Sequence, residues 1–444
     1  MKTITEPARE IPILREVDVV VCGGGPAGVG AALAAARHGA ETLVVEYHNC
    51  LGGMATSGMM NRLGPYHDQE KRILGGIPWE MVERLVEMNA APMPEPCPRD
   101  EPDRYWIPFD PEALKYILDR MAQDAGVSVL FYAHAVAVFG EPGRPQGVIV
   151  ESKSGRHAIP AKVVIDATGD GDVAAAAGVD FQKGRTADGL MQPMTMLFKM
   201  ANMDRDKAKE YVGHNLKRIR EEAAAKGETL PPYIGAGTDC LLRADETFFN
   251  TNQVFGHDGT DAEELSRAAT AARRFIWESM TYARKTLAGY EDAHLAATAA
   301  QLGVRESRRI VGEYMLTAED VLSAQKFDDA IARYACWIDI HTIDPKQKPG
   351  PHAGKGPEPG TSYDIPFRCL VPKDVDGLLV AGRCFSATHE AFASARMIPS
   401  CMAMGQAAGT AAALSSAQDI QPRDLDIAAL QEALRRDDVG LRRD

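Results

Sequence analysis

The sequence contains few features of a secreted, membrane-spanning or nucleic-acid-binding protein. Its eight cysteines are scattered without a C-x-x-C pair, which argues against a zinc site or a disulfide framework. No stretch approaches 18 uncharged apolar residues, and residues 1–16 lack the apolar segment of a signal peptide. Acidic residues outnumber basic ones by 62 to 49 without long charge runs. We therefore expect a cytoplasmic location, with neither nucleic acid nor a membrane as partner.

What the chain does contain is a glycine fingerprint near its start. The apolar run 17–21 predicts a buried strand, and Gly23, Gly25 and Gly28 follow it in G-x-G-x-x-G spacing. Gly23 would allow the tight turn, Gly25 would let backbone approach a pyrophosphate, and Gly28 would let helix and strand pack closely. Glu46 ends the next predicted strand, about 20 residues on, where a carboxylate takes ribose hydroxyls. Together these features predict a bound dinucleotide.

The length and the change of character along the chain predict two domains or one interrupted domain. With 444 residues and 45% hydrophobic content, the chain can bury large cores. We expect an α/β fold: residues 1–185 and 362–425 form a Rossmann-like domain with a parallel sheet and a small β-meander. Residues 186–361 are then an inserted α+β substrate domain, and residues 426–444 a C-terminal tail helix.

Local patterns fill in this outline. Residues 127–138 and 147–159 have the β-branched character of meander strands, and residues 161–166 form a further apolar strand. In the middle of the chain, longer charged segments predict helices over 203–226, 261–287 and 291–301.

Four short motifs carry a family resemblance. They are Gly-Gly-Gly-Pro-Ala-Gly (23–28), Leu-Gly-Gly-Met (51–54), Asp-Ala-Thr-Gly-Asp-Gly-Asp (166–172) and Leu-Leu-Val-Ala-Gly-Arg (378–383). In this order they resemble the bacterial FAD-dependent oxidoreductases of the glutathione-reductase-type fold, the clan with two dinucleotide-binding domains. The resemblance extends over residues 17–413. It implies the fold and FAD as cofactor, and leaves the substrate open.

The resemblance also implies which residues contact FAD. The implied contacts are Gly23, Gly25, Pro26, Ala27 and Gly28 at the pyrophosphate, Glu46 at the ribose, the backbone of Val136 at adenine, Gly52, Gly53 and Met54 near the ribityl chain and ring, and Thr168, Gly169, Asp170, Gly382, Arg383 and Ser400 at the flavin half. Arg383 departs from the pattern, because many relatives carry Asp there. A helix beginning near Ser400 would stabilise negative charge on the flavin.

Three side chains are candidates for catalysis. His389 is our first choice for general base, with Arg396 seven residues later on the same helical face; a core hydrogen bond is the alternative role for the histidine. Arg396 could fix a substrate carboxylate, stabilise an anionic flavin or form a salt bridge. Strand alternation would place His341 beside Asp339 as an oriented imidazole. The same stretch, with Asp344, could alternatively hold a metal, although we expect none.

Asn252, Arg305 and His67 are further candidates for the substrate pocket. The alternative for Asn252 and His67 is that they are simply polar loop residues, and the alternative for Arg305 is a solvated salt bridge. The whole pattern predicts oxidation of a small polar substrate, of alcohol, sugar, hydroxy acid or amino acid type, by hydride transfer to flavin N5. Because only one fingerprint is present, we expect electrons to leave to a separate, unidentified acceptor. A flavin-dependent reductase or hydroxylase, a thiazole-synthase-like protein that processes NAD, and a non-catalytic flavin-binding subunit remain alternatives, and an oligomer is possible.

Overall fold

The computed structural model describes residues 2–225, 246–341, 343 and 350–441. The strands within these residues are β1 (Val17–Cys22), β2 (Thr42–Val45), β3 (Arg62–Leu63), β4 (Ile107–Pro108), β5 (Ser128–Leu130), β6 (Ala133–Glu141), β7 (Arg144–Ser152), β8 (Gly155–Asp166), β9 (Phe181–Lys183), β10 (Met194–Thr195), β11 (Phe198–Ala201), β12 (Glu246–Phe249), β13 (Gln253–Val254), β14 (His294–Thr298), β15 (Arg308–Ile310), β16 (Ala330–Tyr334), β17 (Tyr363–Pro366) and β18 (Leu378–Val380).

The helices of the same residues are α1 (Pro26–Arg37), α2 (Gly76–Glu87), α3 (Pro102–Tyr105), α4 (Pro111–Ala125), α5 (Asp172–Ala176), α6 (Arg205–Ala225), α7 (Ala262–Thr286), α8 (Ala318–Leu322), α9 (His389–Ala395), α10 (Ile398–Gln418) and α11 (Ile427–Arg436). None of the helices in the described part of the chain is long and apolar enough to cross a membrane. The predicted tail helix is shorter than expected: α11 ends at Arg436, and the chain after it is not helical up to residue 441.

A seven-stranded sheet forms the centre of the fold. Its strand order is β5-β2-β1-β8-β7-β6, and β18 pairs with β8 beside this path. The pairings of β1 with β2 and β8, of β2 with β5 and of β18 with β8 are parallel. Successive residues of β1 alternate between two hydrophobic cores. Val19 and Val21 belong to one core, and Val20 and Cys22 belong to the other, as expected for a strand buried on both faces. The predicted α/β fold class is confirmed.

Strand β8 joins the meander to the parallel sheet. Its first half pairs antiparallel with β7, up to Pro160, and its second half pairs parallel with β1, from Ala161 to Asp166. The sequence reading divided this segment into a meander strand and a separate strand. Because β8 belongs to both the meander and the parallel sheet, the meander is joined directly to β1, the strand that ends at the dinucleotide fingerprint.

Helices α1 and α10 cross with their backbones in contact. A Cβ atom on Gly405 would lie 1.9 Å from the carbonyl oxygen of Ala27, and one on Gly409 would lie 2.0 Å from that of Ala31. From the other helix, a Cβ on Gly30 would lie 2.2 Å from the oxygen of Met402. Only glycine allows this approach.

A separate hydrophobic core forms around the antiparallel sheet β12-β11-β14 and the helices α6 and α7. The helices predicted over 203–226 and 261–287 are confirmed as α6 and α7. The helix predicted over 291–301 is wrong, because His294–Thr298 forms β14 and pairs with β11. Strand pairing in this core outweighs the helix propensity of an alanine-rich segment.

Candidate functional site

A cavity of about 260 Å³ opens at the carboxyl ends of β1, β2 and β8. This is where ligands bind in open parallel sheets. Among the residues proposed from the sequence to contact the cofactor, those that line it are Gly23, Gly25, Pro26, Ala27, Glu46, Gly53, Met54, Thr168, Gly169, Asp170, Gly382 and Arg383. Motifs from four distant parts of the chain therefore meet at one cavity.

The glycine fingerprint has the geometry of a phosphate cradle. Gly23 has φ +98°, and a Cβ there would lie 2.4 Å from the carbonyl oxygen of Ala167. A Cβ on Gly28 would lie 1.7 Å from the oxygen of Gly23, so this glycine permits close packing of α1. Gly25 is the N-cap of α1 and supplies no side-chain cap, which leaves the first N–H groups of the helix to a ligand.

Glu46 lies at the end of β2 with its carboxylate held from two sides. Its Oε2 accepts from the Gly24 N–H at 2.5 Å, and its Oε1 accepts from the His48 N–H at 2.7 Å. The residue is buried, yet it lines the cavity. This position beside the fingerprint suits an acceptor for ribose hydroxyls.

Four residues of the predicted cofactor set lie outside this lining. Gly28 packs α1, and Gly52, with φ +102°, donates its N–H to the Gly24 oxygen at 2.7 Å. Ser400 is fully buried and donates its hydroxyl to the carbonyl oxygens of Ala395 and Met397.

Val136, the fourth, is exposed on β6, where Ala133, His134 and Ala135 line the cavity instead. The strand register shifts between Ala135 and Ala137, and this irregularity leaves Val136 outside the pairing.

Arg383 is paired across the cavity wall. Its Nη2 lies 2.9 Å from Asp170 Oδ1, and its Nη1 donates to Ser307 Oγ at 2.8 Å. Ser307 in turn donates to Asp170 Oδ1 at 2.6 Å. The motif at residues 166–172 and the motif at residues 378–383 are thus joined by hydrogen bonds, and Asp170 balances the charge of Arg383.

A second cavity, of about 350 Å³, adjoins the first. The two share Met54, Arg383, Arg396 and Ile398 as lining residues. Its volume lies within the range of small-molecule sites. Helix α10 begins at the shared wall, and its N-cap residue, Met397, provides no side-chain cap. The positive end of the helix dipole therefore faces the junction of the two cavities.

The second cavity contains a hydrogen-bonded set formed by His341, Asp339 and Arg396. Asp339 Oδ2 lies 3.4 Å from His341 Nε2 and 3.2 Å from Arg396 Nη2, which also donates to the Asp339 carbonyl at 3.0 Å. The His341 Nδ1 lies 3.0 Å from the amide nitrogen of Gln253. Residues 338–341 are not a strand, so the predicted alternation is wrong, although the two side chains do meet.

Burial and charge set the ionisation of this pair. Burial lowers the pKa of His341 and Arg305 lowers it further, while the hydrogen bond to Asp339 opposes the shift only in part. For Asp339, burial acts to raise the pKa, but the hydrogen bond from His341 and the charge of Arg396 outweigh it and hold that pKa well below its usual value. At neutral pH the site therefore contains a neutral imidazole beside a carboxylate.

His389, our first choice for the general base, does not reach either cavity. It is 5% exposed, and its Nδ1 lies 2.8 Å from Glu306 Oε1. Glu306 is also paired with Arg309, which donates to the carbonyl oxygens of Ala387 and Gly184. The position corrects the expectation: His389 belongs to a buried ion network, the alternative considered from the sequence.

Of the substrate candidates, only Arg305 lines the second cavity. Asn252 is fully buried against α7, where its amide donates to the Ala272 oxygen at 3.4 Å. His67 is buried too; its Nδ1 accepts from the Gln69 N–H, and burial lowers its pKa. Neither residue lines the cavity, so polarity alone misplaced both.

Sequence reasoning missed several residues of the cavity lining, namely Arg62, Trp106, Asn250 and Trp337. Asn250 precedes the predicted Asn252 by two residues, so the Asn-Thr-Asn segment could have indicated it. No sequence pattern indicates that the two tryptophans line the second cavity. Within the described ranges, no group of three or more His, Cys, Asp or Glu residues could hold a metal ion. Asp344, the third ligand of the alternative metal site, lies outside them.

The fold and the fingerprint cavity define a dinucleotide-binding protein, and a second cavity adjoins the one at the fingerprint. The sequence profile of the FAD dependent oxidoreductase family matches residues 18–434. The chain therefore belongs to this family, and FAD is its cofactor. The glycine cradle fits this cofactor, because the first N–H groups of α1 are uncapped and a Cβ on Gly25 would stand in open space.

Similarity to individual proteins is partial. The chain is 31% identical over 166 residues to a thiamine thiazole synthase of Methanococcus vannielii, covering 35% of this chain and 57% of the relative. It is 29% identical over 188 residues to digeranylgeranylglycerophospholipid reductase 1 of Methanopyrus kandleri, covering 39% of this chain and 42% of the relative. The chain thus spans about half the length of these curated relatives.

Among solved structures, a geranylgeranyl bacteriochlorophyll reductase-like protein of Thermoplasma acidophilum is similar over 95% of this chain and 83% of its own, with 14% identity and a TM-score of 0.39. A flavin-dependent brominase shows the same coverage, 13% identity and a TM-score of 0.43.

Proposed function

We propose that the protein oxidises a small polar substrate in the second cavity and passes the electrons to a separate acceptor. The observation that carries this proposal is the position of the His341–Asp339 pair. It lies in a cavity that shares four lining residues with the FAD cavity. A proton acceptor next to the cofactor is what oxidation of an alcohol or amine carbon requires.

The proton chemistry follows from the hydrogen bonds of His341. Because the carboxylate of Asp339 can only accept, it fixes the imidazole proton on Nε2 and leaves Nδ1 as the acceptor. The amide of Gln253 then donates to Nδ1, 3.0 Å away. A substrate hydroxyl that takes the place of this amide would give its proton to Nδ1 as the carbonyl forms. FAD, when bound, accepts the hydrogen of the substrate C–H bond together with its two electrons.

The remaining side chains orient the substrate and exclude water. Arg396 is held by Asp339 at the shared wall, where its guanidinium can donate to a substrate oxygen. Trp106 and Trp337 meet edge to face, with ring centroids 5.3 Å apart, and close another side of the cavity. We further propose that residues 186–361 form the substrate domain, since Thr195, Asn250, Arg305 and His341 all come from it.

A reductase is the second candidate. The matching relatives include two digeranylgeranylglycerophospholipid reductases, which supports chemistry in the opposite direction. A reductase or hydroxylase needs its flavin reduced by a donor before the substrate reacts. A thiazole-synthase-like protein, suggested by the thiamine thiazole synthase relatives, would instead purify without the visible absorbance of FAD.

Anaerobic mixing of the purified holoenzyme with alcohols, sugars, hydroxy acids and amino acids tests the proposal. An oxidising enzyme loses its visible flavin absorbance without any added donor. We expect His341→Gln to slow this bleaching by about 10²–10⁴-fold. His294→Gln, an exposed histidine of β14 outside both cavities, is the matched control and should bleach normally. Bleaching that appears only after a nicotinamide donor is added would favour the reductase.

A further inference from the structure

Aromatic rings and thioether side chains form most of the apolar wall of the second cavity. Within the described residues, its lining includes two tryptophans, Trp106 and Trp337, and three methionines, Met54, Met60 and Met397. Both residue types attract an aromatic ring beyond the burial of apolar area, because the ring has a negative face and a positive edge and because sulfur is polarisable. A wall of this composition therefore favours a flat aromatic ligand over a puckered aliphatic ligand of similar size.

The two tryptophan rings are held in fixed orientations. Trp337 stacks on Tyr105, with ring centroids 5.2 Å apart and 28° between the planes, and it meets Trp106 edge to face at 86°. Tyr105 is 1% exposed and also contacts Trp106, with centroids 5.8 Å apart. On the backbone side, a Cβ on Gly356 would lie 2.8 Å from the Cα of Trp337, so a neighbouring loop packs directly against this residue. A ligand that fits the rings therefore binds without the entropy cost of ordering them.

One short segment supplies both an aromatic wall and the proton acceptor. Trp337 precedes Asp339 by two residues, so their Cα atoms are at most about 7 Å apart. Asp339 Oδ2 in turn lies 3.4 Å from His341 Nε2. The segment is anchored by the N–H of Ile338, which donates to the Lys355 carbonyl at 2.8 Å. A single small molecule can therefore lie against the ring of Trp337 and present a hydroxyl to His341.

We propose that the substrate is an alcohol whose hydroxyl-bearing carbon is attached to an aromatic ring, and that Trp106 and Trp337 bind this ring; the proposal rests on the oxidation proposed above. The C–H bond of that carbon breaks, and its hydrogen and electron pair go to FAD as a hydride. The hydroxyl proton goes to Nδ1 of His341, and a carbon–oxygen double bond forms. Because this double bond is conjugated with the ring, the product is stabilised in a way that an aliphatic aldehyde or ketone is not.

Binding of benzamide and cyclohexanecarboxamide to the oxidised holoenzyme separates aromatic recognition from apolar burial. The two compounds carry the same amide and the same number of ring carbons, but only benzamide is flat and aromatic. Binding is measured by perturbation of the FAD absorbance and by calorimetry. A wall that only buries apolar area would bind the cyclohexane compound at least as tightly. We expect benzamide to bind about 2–10-fold more tightly.

Tryptophan variants assign the preference to the cavity wall. Trp106→Leu and Trp337→Leu should each lower it, because leucine keeps an apolar wall but has no ring. Trp79→Leu, which removes a tryptophan of α2 outside both cavities, should keep it. Equal binding of the two amides by the unmodified holoenzyme, or tighter binding of cyclohexanecarboxamide, would overturn the aromatic site, whatever the variants do. A preference that both tryptophan variants retain would overturn the role given to these two rings.

Turnover is measured separately, as anaerobic bleaching by benzyl alcohol and by cyclohexylmethanol. Benzyl alcohol should bleach the flavin at least about tenfold faster, because the ring contacts and the conjugation of the forming carbonyl act together. Equal rates for the two alcohols would refute the substrate class and leave the oxidation itself untouched. Conversely, a benzamide preference without bleaching by any aryl alcohol would overturn the oxidation and keep the aromatic site.

Discussion

Replacement of Gly25 by alanine should weaken FAD binding with little effect on the unfolding free energy of the apoprotein. Gly25 has φ −68° and ψ −174°, which alanine also adopts, and a Cβ there would have no heavy atom within 4 Å. The methyl group would therefore occupy open space in the FAD cavity. If it displaces one charged hydrogen bond of the pyrophosphate, FAD affinity falls by about 1.5–3 kcal/mol, or about 10–100-fold.

The paired variant, Gly28→Ala, should act through the fold instead. Its Cβ would lie 1.7 Å from the Gly23 oxygen, against a limit of 3.0 Å for real Cβ contacts, so the backbone must move by about 1.3 Å. We expect this variant to lower the unfolding free energy of the apoprotein, whereas Gly25→Ala should change it by less than about 1 kcal/mol, because the smaller entropy of the unfolded chain offsets the poorer N-cap.

Fluorescence titration of the stripped protein with FAD, together with denaturant unfolding with and without FAD, distinguishes the two variants. A hundredfold loss of affinity in Gly25→Ala would reduce the stabilisation by excess FAD by about 2.7 kcal/mol. Wild-type FAD affinity in Gly25→Ala would refute the reasoning, because the methyl group would then not lie where the pyrophosphate binds. Equal apoprotein stability of Gly28→Ala and wild type would refute the packing role of Gly28.

Three further predictions concern the buried charges. Because the pKa of His341 lies below its ordinary value of about 6.5, the imidazole should be neutral at pH 7. The bleaching rate, measured as kcat/KM against pH, should therefore fall only as the pH drops below about 6.5. An acid limb above pH 7 would contradict this. Glu306→Ala leaves Arg309 and His389 without their shared carboxylate, so unfolding in denaturant should show a loss of about 3–5 kcal/mol. His389→Gln should cost about 1–3 kcal/mol yet leave the pH profile of bleaching unchanged, and a lost acid limb would return His389 to the role of base.

The parts of the fold that could be predicted from the sequence are those fixed by local constraints. The buried strand that is followed by Gly23, with φ +98°, depends only on residues close to it in the sequence. The start of α10, with Pro399 in its first turn, depends on nearby residues in the same way. The parallel sheet followed from the same units, since βαβ connections allow few arrangements.

The errors concern contacts between distant residues. His389 and Glu306 are 83 residues apart, and no local pattern shows that their side chains meet in the core. The pairing that makes residues 294–298 a strand is formed with β11, far from them in sequence. A one-residue irregularity of the β6–β7 pairing leaves Val136 without a strand partner, and strand patterns do not show such irregularities.

The contact between α1 and α10 makes the cofactor site sensitive to residues that touch no ligand. The two helices both begin at the wall of the FAD cavity, at Pro26 and at Ile398. Glycines along their crossing bring backbone against backbone, so the interval between the two helix starts is set by van der Waals contact and cannot shorten. A larger residue at Gly409, three helical turns into α10, would push the helices apart and widen that interval. Affinity for the two halves of FAD would then fall together.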